Sequence, residues 1–391
     1  GAPVSPPTLG VHVEPVPEDE AAPLRSWASS LVEDCHNDGF PGPLPVPFSR
    51  RYMSTVQQAS YLVSEKTDGL RFLLLVNSRG TYLVNRDYSF SFVPSDHFPT
   101  LFAARGSTLL DGELVRNQTT RLVQFMVFDA LQVNGAPVSN LPLVQRLEAV
   151  RDGIVKPYRE ARDAGHFDEA REPFVVINKN FFRVNDLPDK VRAHITRVDK
   201  SRHWIWRDDK RHHRTDGLIF TPVDEPYKLR PELPLLKWKY PELLSVDAAL
   251  RYHRSRRCWM FAVAADGANA EVHVIDVKLQ DSDTTLMEDE MKLHPRGGEG
   301  MIVELSFEAW SGTWRFLGRR HDKDRPNHVR TFASTLEAAA ECVSLEELVY
   351  RLPIRPESDH FRELYEGAGK QAVRTAIDAR NKAKRAKRPR E

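Results

Sequence analysis

The alternation of apolar and polar positions predicts a chain built mostly from short strands. Apolar runs at residues 70–76 and 81–85 flank Asn77-Ser78-Arg79-Gly80, whose composition is typical of a hairpin turn. Apolar residues at helical spacing predict a helix over 141–150, and the charged stretch 155–173 predicts a solvated insertion. Four more runs of strand length lie at 109–115, 122–128, 217–221 and 235–239.

A second β-rich region begins after Ser245, with apolar runs at 259–264, 270–278, 301–310 and 313–319. Several short strands within such a stretch are typical of a small barrel such as an OB-fold. Gly297-Gly298-Glu299-Gly300 has the composition of a hairpin loop, and residues 334–352 have the spacing of one helix. The pattern therefore predicts an α+β protein: antiparallel sheets with helices, followed by a C-terminal OB-fold barrel.

The two ends of the chain differ from its middle. Residues 1–47 hold ten of the 27 prolines, which predicts a mostly irregular arm with one short helix near 24–33. Residues 380–391 hold seven basic residues and one acid, a pattern typical of a nuclear localisation signal, an RNA-backbone contact or a disordered linker. The predicted domains are an arm (1–47), a first domain (48–243), an OB-fold domain with a C-terminal helix (244–352) and a basic tail (353–391).

Composition narrows the function classes. A net charge of +1 over 391 residues argues against a protein that binds nucleic acid over its whole surface. Cys35, Cys258 and Cys342 are far apart, so neither a disulfide framework nor a cysteine-rich zinc site is predicted, and a reducing compartment is favoured. No apolar run approaches the roughly 18 residues that a membrane helix needs, so we expect no membrane partner.

The candidate chemistry begins at Lys66, in the run Glu65-Lys66-Thr67-Asp68-Gly69-Leu70-Arg71. A lysine attacks a nucleotide α-phosphate only when deprotonated, and its ordinary pKa is about 10.4. Burial and neighbouring cations both lower that pKa. Lys237 and Lys239 are two residues apart on a predicted strand, so they point to one side and are the expected cations.

Three further strings follow Lys66 in order: Leu110-Asp111-Gly112-Glu113-Leu114, Val127-Phe128-Asp129 and Thr215-Asp216-Gly217-Leu218-Ile219-Phe220. Each alone is typical of a turn or a core strand. As an ordered set with Lys66 and Leu235-Leu236-Lys237-Trp238-Lys239, they resemble the covalent nucleotidyltransferases, and most closely the messenger RNA capping guanylyltransferases. The resemblance covers roughly residues 50–330. It implies a nucleotidyltransferase domain followed by the OB-fold domain.

The resemblance implies a role for each matched residue. Lys66 is the catalytic nucleophile, Phe128 stacks on the purine, and Lys179 reads the guanine oxygen, an acceptor that suits a cation. Glu113 holds the ribose or supports a metal ion, and Asp216 lies near that metal. The full set of GTP-binding residues it implies is Thr67, Arg71, Arg86, Glu113, Phe128, Lys179, Asp216, Lys237, Lys239, Arg320, Asp322 and Lys323.

The implied activity is a two-step guanylyl transfer with Mg²⁺ or Mn²⁺ and GTP. Lys66 forms a lysyl-GMP intermediate, releasing pyrophosphate, and GMP then passes to the 5′-diphosphate end of an RNA. The implied partners are a separate RNA triphosphatase, a cap methyltransferase and RNA polymerase II, and the implied location is the nucleus.

Two alternatives stay open at this stage. An ATP-dependent DNA or RNA ligase shares the lysine and most motifs, and purine choice, which separates the two classes, depends mainly on Lys179. A non-catalytic scaffold is the other alternative, although retention of the charged set argues against it. His212-His213 is interpreted as part of a solvated loop, because no further ligand lies at a metal-site spacing.

Overall fold

The computed structural model of the chain describes residues 5–36, 39–198, 203–274, 279–308, 311–321 and 323–353. These residues fall into two compact units. The larger unit contains the described residues up to Val46 together with Thr55–Lys237. The smaller unit contains Pro47–Ser54 and the described residues from Trp238 onward. The basic tail from residue 354 lies outside the described residues, and the predicted domain boundaries stay predictions.

Strands dominate the described chain. In chain order they are β1 Glu14–Pro15, β2 Val46–Pro47, β3 Tyr61–Thr67, β4 Leu70–Asn77, β5 Gly80–Val84, β6 Phe90–Val93, β7 Thr108–Arg116, β8 Val123–Val133, β9 Ala136–Pro137, β10 Val175–Asn178, β11 Phe182–Arg183, β12 Ile195–Arg197, β13 Trp204–Arg207, β14 His212–Pro222, β15 Leu236–Lys239, β16 Val246–His253, β17 Cys258–Ala264, β18 Glu271–Val274, β19 Ile302–Glu308 and β20 Thr313–Arg319. The mixed α+β architecture with antiparallel sheets is as predicted.

The helices are short. They are α1 Glu18–Ser30, α2 Met53–Gln58, α3 Phe98–Phe102, α4 Leu143–Val150, α5 Lys156–Asp163, α6 Asp281–Leu293, α7 Val329–Glu341 and α8 Leu345–Arg351. Two π-helical turns, Arg151–Val155 and Leu187–Val191, and several 3₁₀ turns connect them. Among the described helices, none has the length and apolar character needed to cross a bilayer.

The largest sheet has the strand order β1-β6-β5-β4-β7-β8-β10, with β9 on β8. Its central strand β4 is apolar without alternation because both of its faces are covered. Leu74 packs into one core, and Leu73 and Leu75 pack into another that includes Ala21 and Ala28 of α1. The N-terminal arm is therefore more ordered than predicted: α1 buries small side chains against the sheet despite the proline-rich composition.

The second sheet has the order β11-β3-β14-β13-β12, with β15 on β14 and β2 on β15. It carries the Lys66 motif on β3 and the Asp216 motif on β14, which run antiparallel as direct neighbours. Trp206 on β13 is fully buried. The stretch before Asp216 is thus part of the sheet, and the interpretation of His212-His213 as a solvated loop is wrong because both residues belong to β14.

The predicted solvated insertion at 155–173 is also wrong. Its first part forms α5, in which Tyr158 and Ala161, three positions apart on one face, turn into the core. The Tyr158 ring packs on Phe102 and Phe167, with centroids 6.0 and 5.1 Å away. The charged residues of the stretch occupy the opposite, solvated face, which explains why composition alone suggested a loop.

The smaller unit contains a five-stranded antiparallel sheet with the order β18-β17-β16-β19-β20. Five strands, with α6 between the third and the fourth in sequence, are consistent with the predicted OB-fold. A parallel bridge joins Leu279, which follows β18 in the sequence, to Trp314 of β20, and within the described residues no ladder pairs β18 with β20. No closed barrel is therefore described.

Two local predictions in this unit need correction. The single helix predicted at 334–352 is two helices, α7 and α8, because Cys342 has a left-handed backbone conformation that ends the first one. Gly297–Gly300 does not join two strands; it links α6 to β19.

Candidate active site

Lys66 lies near the end of β3, and its ammonium group is bound by a carboxylate of the neighbouring strand. The Nζ atom lies 3.0 Å from Oδ1 and 2.9 Å from Oδ2 of Asp216. Both side chains keep some contact with solvent, at 22% and 15% exposure. The lysine is therefore fixed in position yet reachable from the cleft described below.

A β-bulge directs Asp216 toward Lys66. In the β3–β14 pairing Thr215 opposes Thr67 and Gly217 opposes Lys66, so Asp216 is the extra residue of a β-bulge in β14. Bulges bend a strand and redirect side chains, and they are frequent next to active sites. The Thr215 hydroxyl donates to the Lys66 carbonyl at 2.8 Å and holds the bulge against β3.

The pKa of Lys66 does not follow the sequence-based prediction. Burial lowers it, but attraction by Asp216, then by Glu113 and Asp68, outweighs burial, so the pKa of Lys66 is raised above its ordinary value. The expected depression of the Lys66 pKa towards neutrality is thus wrong. The reason is that the nearest charges are carboxylates rather than lysines.

Glu113 lies on β7 opposite Arg71 of β4. Gly69 is required close to it, because a Cβ at that position would lie 2.9 Å from Glu113 Cγ and 2.7 Å from the Leu114 carbonyl oxygen. Burial raises the pKa of Glu113; Lys179 and Lys66 oppose this, while the negative charge of Asp216 adds to it. Glu113 and Asp216 thus interact as two nearby carboxylates.

A second bulge places Phe128. Gly112 opposes Val127 and Asp111 opposes Asp129, which leaves Phe128 as the extra residue of β8. Phe128 is also the one half-buried position of an otherwise buried strand. The guanidinium carbon of Arg71 lies 5.6 Å from the centre of the Phe128 ring, close enough for a cation–π contact.

Arg71 is held by a buried network rather than left free for a ligand. Its Nε and one terminal nitrogen donate to Asp111 at 3.0 and 2.6 Å, and the other terminal nitrogen donates to the Pro43 carbonyl at 2.8 Å. The Tyr227 hydroxyl donates to the same Asp111 carboxylate at 2.6 Å. The direct GTP contact predicted for Arg71 stays a prediction; what the structure describes is support for Phe128.

Lys179 and Thr67 form a buried pair. Lys179 Nζ donates to Thr67 Oγ1 at 2.8 Å and lies 3.4 Å from Glu65 Oε1. The same Glu65 oxygen also accepts hydrogen bonds from the Thr67 hydroxyl and from His213, whose Nε2 is 2.9 Å away. Burial would raise the pKa of Glu65, but Lys179 and His213 outweigh it and lower the pKa well below its ordinary range. Glu65 is therefore an ionised anchor for the pair.

A cleft in the larger unit collects six of the thirteen predicted residues. Its lining includes the side chains Lys66, Arg71, Arg86, Glu113, Phe128 and Lys179. Leu235 also lines it, and Lys237 follows two residues later on β15. Lys237 and Lys239 are half-buried and alternate with buried Leu236 and Trp238, as the strand prediction required. Within the described ranges, no three His, Cys, Asp or Glu side chains form a metal-binding group.

The remaining predicted residues belong to the smaller unit. Buried Asp247 on β16 binds Lys323 and also Arg320, whose terminal nitrogen is 3.1 Å from Oδ1. The Asp247 backbone N–H donates to Asn327 Oδ1 at 2.7 Å, so one aspartate organises the whole segment. Asp322 lies outside the described residues.

Comparison with known families decides the class. The family model described as "mRNA capping enzyme, catalytic domain" matches residues 8–241, and "mRNA capping enzyme, C-terminal domain" matches residues 236–349. The chain belongs to the mRNA capping enzyme family. Its larger unit lies within the range of the family's catalytic domain, and the five-stranded sheet lies within the range of its C-terminal domain.

Individual relatives agree with the family assignment. The chain is 29% identical to the mRNA-capping enzyme subunit alpha of Eremothecium gossypii, over 80% of this chain and 78% of that protein. It is also 29% identical to the mRNA-capping enzyme of Danio rerio, over 80% of this chain but only 48% of that protein. A mycobacterial DNA ligase D structure covers 72% of the chain at a TM-score of 0.36 and 13% identity, which is too weak to carry an argument.

The sequence analysis did not predict several residues that hold the site residues in position. Glu65 could have been found, since it precedes Lys66 and lies on the same strand face as Thr67. His213, Asp111, Tyr227 and Asp247 gave no such signal, because their partners are far away in the sequence.

Proposed function

We propose that this chain is an mRNA guanylyltransferase and that Lys66 is its nucleophile. The observation that supports this best is the Lys66–Asp216 contact in a cleft that also contains Glu113, Phe128 and Lys179. An aromatic face, a buried cation and a reactive amine in one cleft are suited to a purine nucleotide. Lys179, with Thr67 behind it, favours guanine, because guanine presents an acceptor where adenine presents an amino donor.

The reaction proceeds in two displacements. Neutral Lys66 Nζ attacks the α-phosphorus of GTP, the bond to the β-phosphate oxygen breaks, and pyrophosphate leaves with that electron pair. The lysine nitrogen loses its proton, and a P–N bond now joins it to GMP. In the second step a terminal oxygen of the RNA 5′-diphosphate attacks the same phosphorus, the P–N bond breaks, and Lys66 takes up a proton. The product is a 5′–5′ triphosphate cap.

Glu113 and Asp216 fit a divalent cation such as Mg²⁺ or Mn²⁺. Mg²⁺ is commonly bound by one or two carboxylates together with substrate phosphates, so a third protein ligand is not needed. Burial and neighbouring negative charge raise the pKa of Glu113, and a bound cation would lower that pKa again. Such an ion would stabilise negative charge that develops on the phosphate oxygens. Glu113 and Asp216 would hold the ion, and Asp216 is also the residue that holds the ammonium group of Lys66.

A labelling experiment tests the proposal. The protein is incubated with α-labelled GTP or ATP and a divalent cation, denatured and separated by size. We expect covalent label from GTP, none in Lys66→Ala, and normal labelling in Lys156→Ala, which changes an exposed lysine of α5. Label from ATP and not from GTP would instead support the ATP-dependent ligase. Undiminished label in Lys66→Ala would disprove the assignment of the nucleophile.

Four finer points belong to the same proposal. We propose that the RNA substrate arrives with a 5′-diphosphate made by a separate triphosphatase, and that a separate methyltransferase acts on the product. Binding to RNA polymerase II and a nuclear location complete the proposal. The support for these points is the proposed activity itself, which acts on the 5′ ends of messenger RNA.

A further inference from the structure

The hairpin between β16 and β17 exposes three arginines in the described part of the smaller unit. Tyr252 pairs with Trp259 and His253 with Cys258, and residues 254–257 form the turn. Arg254, Arg256 and Arg257 in this turn are all exposed. Within the described residues no carboxylate lies within salt-bridge distance of any of the three, whereas Arg251, Arg315 and Arg320 of the same unit are each paired with one.

Two aromatic side chains stand at the base of this turn. The rings of Tyr252 and Trp259 are 5.2 Å apart at an interplanar angle of 62°. Trp259 packs partly against the core of the sheet, whereas Tyr252 is 44% exposed. The Tyr252 ring therefore exposes an aromatic surface to solvent while Trp259 packs against it from the protein side.

Two further arginines lie beyond the turn, of which Arg251 is paired with Glu271. Arg251 and exposed Arg296 converge on Gly300, where a Cβ would lie 3.0 and 2.7 Å from their terminal nitrogens. Burial, then Arg319 and Arg296, lower the pKa of nearby His294, which is consistent with a positive local potential.

Two glutamates lie near the hairpin, and Arg251 is the arginine that binds both of them. Glu271 binds Arg251 at 2.9 and 2.6 Å. Glu299 lies 3.7 Å from Arg251 and accepts a hydrogen bond from the Tyr252 backbone. The turn arginines are thus left to act on an external anion.

We propose that this hairpin, residues 252–259, binds the single-stranded RNA that follows the 5′ end to be capped. The turn arginines contact successive phosphates, and Tyr252 stacks on a base. Basic grooves combined with aromatic platforms are the usual means of binding single strands, and the loop between the first two strands of an OB-fold is one of its oligonucleotide-binding loops. The inference rests on the proposed function, because it assumes that the substrate is RNA.

The test separates the two chemical steps. Arg254→Gln/Arg256→Gln/Arg257→Gln should leave lysyl-GMP formation unchanged, since that step needs no RNA. With a 5′-diphosphate RNA of about 20 nucleotides, KM in the transfer step should rise about tenfold, and the salt dependence of log KM should fall by about two units of slope, given about 0.7 per phosphate contact for single strands. Tyr252→Ala should raise KM about tenfold and Tyr252→Phe should not, because phenylalanine keeps the stacking face.

Lys292→Gln/Arg330→Gln is the matched control. It removes two exposed cations of the same unit that lie elsewhere and are paired with Asp289 and Asp266. KM for RNA and its salt slope should stay at the wild-type values. If the triple arginine variant also had the wild-type KM for RNA and the wild-type salt slope, the proposal would be overturned. A second pattern would also overturn the proposal. In that pattern the triple arginine variant loses RNA affinity, Tyr252→Ala has no effect, and a phosphorylated peptide competes with RNA. Such a result would indicate that the hairpin binds a protein.

RNA binding measured by fluorescence anisotropy, without GTP, distinguishes failure of the inference from failure of the proposed function. Wild-type protein that binds single-stranded RNA through the hairpin but forms no lysyl-GMP supports the hairpin alone. Wild-type protein that labels with GTP while its RNA affinity is insensitive to the hairpin variants supports the guanylyltransferase alone.

Discussion

Lys66 and Asp216 are joined across two antiparallel strands, with Nζ 3.0 and 2.9 Å from the two carboxylate oxygens. The aspartate reaches the lysine only because a bulge adds one residue to β14 at that point. This contact favours the ammonium form of Lys66, which cannot attack phosphorus. The pair therefore holds Lys66 in place and protonated.

The first prediction concerns pH. Because the pKa of Lys66 is raised by Asp216 and Glu113 against the effect of burial, the reactive amine is a minor species at neutral pH. The value of kcat/KM for lysyl-GMP formation reports groups of the free enzyme and should rise about tenfold per pH unit between about pH 6 and 9. Rapid-quench measurement of label incorporation provides the profile. A plateau near neutrality would mean that cations, not Asp216, control Lys66.

The second prediction concerns purine choice. Thr67 accepts a hydrogen bond from Lys179 at 2.8 Å and thereby orients the cation expected to read guanine. Thr67→Val keeps the shape but removes the hydroxyl, so we expect the preference for GTP over ATP in covalent labelling to fall by about tenfold, equivalent to the loss of one hydrogen bond near a charge. Thr81→Val is the control, since it removes a buried hydroxyl bonded to Ser95 in the same unit. Equal preference in both variants would argue against the role of Thr67.

The third prediction concerns His213, which supports the same pair through Glu65. His213→Leu removes a donor from a buried, ionised carboxylate, so the free energy of unfolding should fall by about 1–3 kcal/mol. His213→Gln keeps an N–H donor and should lose less. His212→Leu, at the adjacent position bonded to Thr119 on the surface, should change stability by less than about 0.5 kcal/mol.

Urea unfolding of the full chain, followed by circular dichroism, measures these differences. A loss in His212→Leu as large as in His213→Leu would mean that the buried contact contributes no more than a surface one. A matching fall in the GTP-to-ATP labelling ratio for His213→Leu alone would show that the Glu65 anchor also orients Lys179.

The sequence predicted several strands of this site but not β3, which carries Lys66. β4 contains a continuous buried apolar run, a pattern typical of strands, whereas Ser64, Glu65 and Lys66 interrupt the apolar pattern of β3. What periodicity could not predict was the extra residue in β14 and in β8. A bulge changes the partner of one residue without changing the composition of the strand.

The predictions that were wrong share another cause. His213 and the residues of α5 were judged by the charged residues beside them, although burial is set by partners distant in sequence. His213 becomes buried only when Glu65, in another strand, accepts its hydrogen bond at 2.9 Å. Tyr158 becomes buried only when the fold packs Phe102 and Phe167 against its ring. Long-range contacts of this kind leave no local pattern in a single sequence.

The last prediction concerns Gly69, whose role is to leave room. A Cβ there would lie 2.7 Å from the Leu114 carbonyl oxygen and 2.9 Å from Glu113 Cγ, distances at which backbone or side chain must move. Leu114 is on a central strand and cannot yield easily, so in Gly69→Ala we expect Glu113 to be displaced from the cleft. The rate of lysyl-GMP formation should then fall by at least about a hundredfold, as misplacement of a group by about 1 Å can cause.

Gly39→Ala is the control, because no atom lies within 4 Å of a Cβ at that position. It should label at the wild-type rate. Raising the divalent cation concentration adds a second readout: if Glu113 helps to hold the ion, Gly69→Ala should need more cation for half-maximal labelling, whereas a general loss of folded protein would lower the maximum without changing that concentration. Wild-type labelling by Gly69→Ala would show that the sheet adjusts at this point and that the glycine is not needed to position Glu113.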